Sequence, residues 1–249
     1  MRQITFILTI ILFASCGQRA KGLINQTNVL VIDTLIAGRY VLSFENADSF
    51  PNTDIYGDLA HRKKLTDTIG NWHDRAVKIQ SYLAKEFGDK FFTTDTTLVL
   101  ILSNGKKESF PLWDVKNDEG YNFEHYFDNI DYYLLQVQFG EGNGWMLVNR
   151  KNGFKKYING LPYISNDRKT IISINSDLEA GYSFNGIESY TILSDSLHTD
   201  FSKETTWGPT DVKWVNKNQF LIKREHLNYD SLTHKLDYKL VTIKIKTSQ

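Results

Sequence analysis

Cysteine is almost absent from this sequence of 249 residues, which contains a single one, Cys16. A chain with one cysteine forms no internal disulfide, and beyond residue 16 it offers no thiolate catalyst and no cysteine-based zinc or iron–sulfur site. Proline is scarce too, at four residues, and no segment has the composition of a Pro-rich or Gly/Ser-rich linker. The folded body must therefore be stabilised by its hydrophobic core alone.

Net charge is also absent. Lysine plus arginine equals aspartate plus glutamate at 29 each, and no run of five basic residues occurs. Proteins that bind nucleic acid present an excess of positive charge, so this composition predicts no nucleic-acid partner. The hydrophobic fraction of 41% and the aromatic fraction of 13% are those of a folded globular chain.

A long hydrophobic run is missing as well. The stretch from Ile4 to Ala14 is apolar except for Thr5 and Thr9, and it follows Arg2. A membrane-spanning helix needs about 20 apolar residues. A positive start, a run of about 7–15 apolar residues and a small-residue exit are typical of a secretory signal peptide.

The run ends in the segment Leu12-Phe13-Ala14-Ser15-Cys16. This segment resembles the lipobox of bacterial lipoproteins, in which the cysteine thiol receives a diacylglyceryl group and becomes the first residue of the mature chain. The resemblance implies a signal peptide over residues 1–15, a lipidated Cys16 and a polar tether over residues 16–26. The alternative is an ordinary cleaved signal peptide with an incidental cysteine.

The lipoprotein resemblance also implies a location and a first partner. Stable anchoring takes two or more acyl chains, which a triacylated Cys16 supplies, so the membrane is the expected partner. Gly17, rather than an aspartate, follows the cysteine. By the enterobacterial sorting pattern, this implies the outer membrane of a Gram-negative bacterium.

Residues 27–249 are predicted to form one β-rich domain, with a helix-containing part (27–95) and a β-repeat part (96–249). The segments NVLVID (28–33) and GRYVLSF (38–44) are predicted strands because they are rich in β-branched and aromatic residues. Residues 46–68, dense in Asn, Asp, Gly and Pro, are predicted to form a long loop.

One packing helix is predicted near residues 71–87. Its apolar residues recur every three or four positions, which marks one face of a helix. Asn71 is a suitable N-cap and Gly88 a suitable terminator. The apolar stripe consists of Trp72, Ala76, Ile79, Leu83 and Phe87.

From Thr96 onward the pattern predicts antiparallel hairpins. Asn104-Gly105 suits a tight turn between two strands, and Pro111 places the second of them at a sheet edge. Further strands are predicted in NIDYYLLQVQF (129–139), WMLVNR (145–150) and FKKYI (154–158), joined by glycine-bearing turns.

Three stretches of similar form begin near Tyr132, Thr170 and Gln219, at spacings of 38 and 49 residues. The segment LPYISNDRKTIISIN resembles the P-x-x-S-x-D-x-K turn between strands of bacterial β-propeller blades, with Asp167 and Lys169 as matches. Three units cannot close a propeller of four to eight blades. The predicted fold is therefore an antiparallel hairpin meander, either sandwich-like or partially β-propeller-like. A small complete propeller that recruits the N-terminal strands is the other alternative.

No catalytic or metal-binding motif is present. The six histidines lack the H-E-x-x-H spacing, and no G-x-S-x-G occurs. His226 and His234 could meet across a hairpin, but zinc takes three or four protein ligands. The acidic segment 114–131 lacks the order of a calcium loop and is predicted to be solvated. We therefore expect no cofactor, and the sequence names no catalytic residue.

Aromatic residues are the remaining candidates for a binding face, although sheets also use them in cores. Because Tyr132 and Tyr133 are adjacent on a strand, one ring must point outward unless both faces of the sheet are covered. The candidate binding face consists of Tyr132, Tyr133, Trp145, Trp207 and Trp214.

Two functions follow as hypotheses. The first is a lipid-anchored envelope component that binds or scaffolds a protein or glycan partner. The second is an envelope hydrolase or carbohydrate-active protein whose carboxylates are gathered by the fold. A concave pocket holding two carboxylates, one with a raised pKa, would favour the second hypothesis.

Overall fold

A computed structural model describes residues 33–246, with the side chains of Trp72 and His73 left out. The predicted signal peptide, Cys16 and the predicted tether lie outside these residues. The same holds for the predicted strand 28–33, except for its last residue.

Strands dominate residues 33–246. The two helices there are α1 (Leu59–Thr66) and α2 (Trp72–Glu86). The strands are β1 (Asp33–Ala37), β2 (Tyr40–Asn46), β3 (Phe91–Thr93), β4 (Thr97–Ile101), β5 (Lys107–Pro111), β6 (Glu119–Phe127), β7 (Tyr132–Phe139), β8 (Gly142–Asn149), β9 (Lys155–Ile158), β10 (Leu161–Ile164), β11 (Thr170–Asn175), β12 (Gly186–Ile192), β13 (Leu197–Glu204), β14 (Gly208–Asn216), β15 (Gln219–Asn228) and β16 (Thr233–Ile245).

The strands form four antiparallel sheets in succession along the chain. Sheet I has the order β3-β4-β5, sheet II β6-β7-β8-β9, sheet III β10-β11-β12-β13, and sheet IV β1-β2-β16-β15-β14. The predicted mainly β, antiparallel hairpin fold is confirmed. Four successive sheets of three to five strands correspond to the blade-like alternative rather than to two facing sheets.

Sheet IV joins the two ends of the described chain. Strand β2 pairs with β16 from Asn46 opposite Lys239 to Tyr40 opposite Ile245. The helix-containing and β-repeat parts therefore share one sheet. Residues 33–246 accordingly belong to a single compact unit.

The core lies between successive sheets, in three clusters. One joins helix α2 with sheets I and II, one joins sheets II and III, and one joins sheets III and IV. Tyr133 belongs to the first cluster and Tyr132 to the second, and both are buried. Sheet II is thus covered on both faces, which is the condition under which adjacent tyrosines can both point inward.

Helix α2 forms where its apolar stripe predicts. The Asn71 side chain accepts a hydrogen bond from the Asp74 amide at 2.9 Å, which satisfies one of the free donors of the first turn. Leu83 is fully buried, and α2 packs on β6. Both the helix and its packing on a sheet are confirmed.

The predicted turns also form. The β4–β5 hairpin turns through Gly105 at φ +80°, and Pro111 ends the edge strand of sheet I. In the turn before β11, the Ser165 hydroxyl donates to Asp167 at 2.7 Å, and the Thr170 amide donates to that hydroxyl at 3.0 Å.

Two loop predictions are wrong. Residues 59–66 of the predicted loop form helix α1, whose sequence LAHRKKLT has no apolar stripe and which buries Arg62 instead. Within the acidic segment predicted to be solvated, residues 119–127 form β6, a largely buried strand. In both cases tertiary contacts override a polar composition.

Candidate ligand-binding site

Arg62 of helix α1 is a charged residue with a buried side chain. Its Nε donates to Asp58 Oδ1 at 2.7 Å, one turn earlier in the chain. Its Nη1 donates to the Glu124 carboxylate at 2.8 Å and to the Glu124 carbonyl oxygen at 3.0 Å. Because burying an unpaired charge is very unfavourable, these contacts are what allow Arg62 to sit inside the body.

Glu124 reaches Arg62 because of an irregularity in sheet II. The register of β6 on β7 shifts between Phe123 and His125, so that Glu124 is the extra residue of a β-bulge. Such bulges redirect side chains and are frequent beside functional sites. Here the bulge brings a carboxylate to a residue 62 positions away in sequence.

The guanidinium of Arg62 is not fully used. Its Nη2 is buried and has no hydrogen-bond partner among residues 33–246. The guanidinium carbon lies 4.2 Å from the ring centre of Tyr56, a distance typical of a cation–π contact. A buried donor without a partner raises the free energy of the folded protein by roughly 1–3 kcal/mol.

Amide side chains continue the site along sheet II. The buried Gln80 of α2 donates to Asn122 Oδ1 at 2.9 Å and accepts from the Phe123 amide at 3.3 Å. Asn122 stands opposite Gln136 in the β6–β7 register, and Gln138 stands opposite Asn143 in the β7–β8 register. The Gln136 side chain has no hydrogen-bond partner in the described part of the chain.

These groups border a cavity of about 540 Å³ between the two helices and sheet II. This volume is within the range of ligand pockets, roughly 300–1,000 Å³. We call it the Arg62 cavity. Its lining consists of Tyr56, Leu59, Arg62, Lys63, Thr66, Arg75, Ala76, Ile79, Asn122, Phe123, Glu124, Gln136, Gln138 and Asn143.

Burial governs the electrostatics of the Arg62 cavity. It raises the pKa of Glu124 above its ordinary value, although Arg62 acts in the opposite direction. Burial, with the Glu124 carboxylate nearby, also raises the pKa of Tyr56. On the same strand, burial lowers the pKa of His125 to about 4, so this histidine is neutral at pH 7.

The aromatic residues singled out from the sequence lie in the core. Tyr132, Tyr133 and Trp214 are buried, and the Trp214 indole donates to the Tyr163 carbonyl oxygen at 2.9 Å. Trp145 and Trp207 are partly buried, the first packed between sheets II and III and the second between sheets III and IV. These five side chains therefore share no exposed face.

The hairpin histidines do not meet each other. His226 pairs with Asp237 at 3.4 Å, and His234 pairs with Glu225 at 2.9 Å and with Glu179 at 3.0 Å. Within residues 33–246, no three His, Cys, Asp or Glu side chains are grouped so that they could hold a metal ion.

The residues of the Arg62 cavity carry little sequence signal. Arg62 is one of three consecutive basic residues, and Tyr56 lies in the predicted loop. The alternation of Gln136 and Gln138 around buried Val137 does carry information, because it indicates that one face of the end of β7 is polar.

Comparison with known proteins assigns no family. No family model matches the chain, and no curated protein matches it. One similar solved structure is TolB from Acinetobacter baumannii, with 14% identity and a TM-score of 0.22. The alignment covers 59% of this chain and 41% of that one. None of the helices within residues 33–246 has the length and apolar character needed to cross a membrane.

Proposed function

We propose that this chain is a cell-envelope lipoprotein, anchored through Cys16, that binds a small acidic ligand rich in hydroxyl groups in the Arg62 cavity. The observation that carries this proposal is the buried Nη2 of Arg62, which has no partner in the described part of the chain, on a residue that lines a cavity of ligand size. Because Nη2 is closed off from solvent, the Arg62 or Tyr56 side chain must shift before a ligand carboxylate supplies the missing acceptor in a charge-assisted hydrogen bond.

The charges around the cavity favour an anion. Arg62 is offset by its two carboxylate partners, whereas Lys63 and Arg75 add exposed positive charge to the lining. The Gln136 amide carries both donors and an acceptor and can bond a pair of neighbouring hydroxyls. Asn122 and Gln138 retain part of this capacity, since Asn122 Oδ1 already accepts from Gln80 and Gln138 Nε2 already donates to the Gly140 carbonyl oxygen.

The cavity also has an apolar side, formed by residues such as Ile79 and Phe123. A sugar ring presents one apolar face and a rim of hydroxyls, so it matches this division of the lining. An acidic sugar therefore fits the cavity better than a purely apolar ligand does. The expected ligand class is a uronic acid or an oligosaccharide containing one.

Binding is favoured over hydrolysis. Glu124, with its raised pKa, lines the cavity as the hydrolase hypothesis requires, but Asp58 does not line it. Both carboxylates are hydrogen bonded to the same guanidinium. Neither is thus placed as a free acid or base across a bond to be cleaved.

The test is calorimetric titration of the detergent-extracted full chain with D-glucuronate, with D-glucose as the uncharged match. We expect glucuronate to bind and glucose to bind at least 10-fold more weakly. Arg62→Met should weaken glucuronate binding by about 10- to 100-fold, the range for a hydrogen bond to a charged group.

Arg62→Met leaves Glu124 buried without its arginine partner and can therefore misfold. A second variant tests binding without removing the partner of a buried charge. Gln136→Leu removes an amide with no partner among residues 33–246, so it should preserve folding and still weaken binding about 2- to 10-fold. Arg39→Met, an exposed arginine outside the cavity lining, is the control. Equal affinity for glucuronate and glucose, or wild-type affinity in Gln136→Leu, would overturn the proposal.

A further inference from the structure

A second cavity adjoins the Arg62 cavity at Asn143, which lines both of them. Its volume is about 290 Å³, and strands of sheets II, III and IV contribute to its wall. This volume is close to the lower end of the range for ligand pockets, roughly 300–1,000 Å³. We call it the Trp145 cavity, after the partly buried tryptophan in its lining. The two cavities therefore meet at the start of β8.

The strand registers place Trp145 in line with the amides of the Arg62 cavity. Asn122 of β6 stands opposite Gln136 of β7, and Gln136 stands opposite Trp145 of β8. Residues paired in this way project from the same face of a sheet. Because neighbouring strands lie about 4.8 Å apart, the row from Asn122 to Trp145 is about 10 Å long. Successive units of one extended ligand can thus contact the amides and then the indole.

Trp145 has the chemistry of a sugar-binding residue. It packs against the core between sheets II and III, yet its side chain stays partly exposed. Its indole N–H has no hydrogen-bond partner among residues 33–246. An indole presents an apolar face and one polar donor. A sugar ring can therefore pack its apolar face on the indole while one of its hydroxyls accepts from the N–H.

The β11–β12 loop supplies a polar part of the wall and is held in place. The Asn143 amide donates to Ser183 Oγ at 3.1 Å, which ties this loop to β8. The Asp177 carboxylate accepts from the Gly181 amide at 2.9 Å and from the Ser183 amide at 2.6 Å. Ser176 lines the cavity, and its hydroxyl has no hydrogen-bond partner in the described part of the chain. A hydroxyl on a loop that is already ordered loses little further freedom when a ligand binds.

The two cavities differ in charge. The lining of the Trp145 cavity, as far as residues 33–246 form it, contains no Lys, Arg, His, Asp or Glu. The lining of the Arg62 cavity contains Arg62, Lys63, Arg75 and Glu124. An anionic group is therefore favoured in the Arg62 cavity, and an uncharged group with hydroxyls is favoured in the Trp145 cavity.

We infer that the Trp145 cavity is a second sugar subsite, which binds a neutral sugar linked to the uronic acid in the Arg62 cavity. This inference rests on the proposed function and deepens it, since the preferred ligand becomes an acidic oligosaccharide rather than a single uronic acid. The Trp145 indole packs on the neutral ring, and the Ser176 hydroxyl bonds to one of its hydroxyls. Asn143 lies where the two sugars join.

The experiment is calorimetric titration of the detergent-extracted full chain with D-glucuronate and with two disaccharides that extend it. The disaccharides are cellobiouronate, in which glucuronate is linked to glucose, and the hyaluronan disaccharide, in which it is linked to N-acetylglucosamine. Their different linkages place the second ring differently. We expect at least one of them to bind about 10-fold or more tighter than glucuronate, because it adds contacts without a second loss of translational freedom.

Trp145→Leu keeps an apolar side chain at the core and removes the aromatic face. It should lower the affinity for the tighter disaccharide about 10-fold, since tryptophans at binding sites commonly contribute this much. Its affinity for glucuronate should stay close to that of the wild type, because Trp145 does not line the Arg62 cavity. Trp207→Leu is the matched control, because Trp207 is also partly buried but lines neither cavity.

Ser176→Ala tests the subsite without disturbing the core. It removes a hydroxyl that has no partner among residues 33–246, so the variant should fold like the wild type. Its affinity for the tighter disaccharide should fall about 2- to 10-fold, the range for a neutral hydrogen bond, while its affinity for glucuronate should not change.

The outcomes separate the second subsite from the proposed function. Glucuronate that binds more tightly than glucose, but as tightly as both disaccharides, would overturn the second subsite alone. Wild-type affinity for the disaccharides in both Trp145→Leu and Ser176→Ala would overturn it as well. Equal affinity for glucuronate and glucose would overturn the proposed function, and with it the inference that rests on it.

Discussion

Two arginines, Arg62 and Arg224, are equally buried in this molecule, yet their surroundings differ. Arg224 donates from Nε and Nη2 to both oxygens of Asp237, at 2.8 and 2.7 Å, and from Nη1 to Asp33 at 3.3 Å. Its guanidinium carbon also lies 4.9 Å from the centre of the Trp207 ring. All three of its nitrogens are used, whereas Arg62 keeps Nη2 free of any partner within residues 33–246.

The pKa values of Asp237, the partner of Arg224, and of Glu124, a partner of Arg62, shift in opposite directions. Burial raises the pKa of both, but at Asp237 the hydrogen bonds and charge of Arg224, together with Lys239 and His226, outweigh burial, and the pKa is lowered. At Glu124 burial outweighs Arg62, and the pKa is raised. Buried charge alone therefore does not mark a functional site. The distinguishing features are an unused donor and a carboxylate that its partner does not fully stabilise.

The largest expected effect on stability comes from replacing Arg224, whose guanidinium nitrogens all donate hydrogen bonds. Arg224→Ala should lower the free energy of unfolding by about 3 kcal/mol, because Asp237 loses its bidentate partner and keeps only His226 and Lys239, and because the packing on Trp207 is lost. Urea denaturation of this variant beside Lys217→Ala, an exposed control, measures the effect. A loss below 1 kcal/mol would show that the hydrogen bonds and packing of Arg224 do not stabilise the fold as proposed.

Glucuronate binding sharpens the same contrast. Arg224 lies outside the lining of the Arg62 cavity, so a milder variant such as Arg224→Lys should retain binding wherever it remains folded. Arg62→Lys, which keeps the charge but loses the guanidinium fork, should weaken binding about 10-fold or more. Equal losses of affinity in the two lysine variants would show that Arg62 contributes no more to glucuronate binding than Arg224 does.

The contributions of Asp237 and Glu124 to stability should depend on pH with opposite signs. Asp237, with its lowered pKa, contributes stability that is present above the ordinary aspartate pKa of about 3.9 and is lost as pH falls through its folded value. Glu124, with its raised pKa, contributes stability that is present below about 4.3 and is lost as pH rises through its folded value.

Denaturation midpoints between pH 3 and pH 7 test this sign. Asp237→Asn should destabilise the protein most at pH 7, and its deficit should shrink on acidification. Glu124→Gln should improve relative to the wild type as pH rises from 4 to 7. Asp95→Asn, at an exposed position, serves as control. Parallel curves for the two variants would contradict the comparison.

The smallest expected effect comes from a second comparison between a buried polar group with a hydrogen-bond partner and one without, here two tyrosine hydroxyls. The Tyr133 hydroxyl donates to the Ile101 carbonyl oxygen, whereas the buried Tyr132 hydroxyl has no partner among residues 33–246. Tyr133→Phe should therefore lose about 1 kcal/mol of stability. Tyr132→Phe should be neutral or slightly stabilising, and thermal unfolding of both variants under one buffer distinguishes them.

Local pattern alone was enough to predict several features of this protein. The stripe from Ala76 to Leu83 predicts helix α2, and Asn104-Gly105 predicts the β4–β5 turn, because each depends on residues close together in sequence. The hairpin content of residues 96–249 follows from the same short-range signals. The lipobox at Cys16 is likewise local, and it stays a prediction.

Only the tertiary structure decided the site. Nothing near Arg62 in sequence distinguishes it from Lys63, and its partner Glu124 lies on a strand whose polar composition predicts a loop. Whether Tyr132 and Tyr133 are core or surface depends on sheets that cover both faces of β7. Local order follows from backbone preference and hydrophobic period. The desolvation and pairing of charges depend on which distant segments meet, and no window of sequence contains that information.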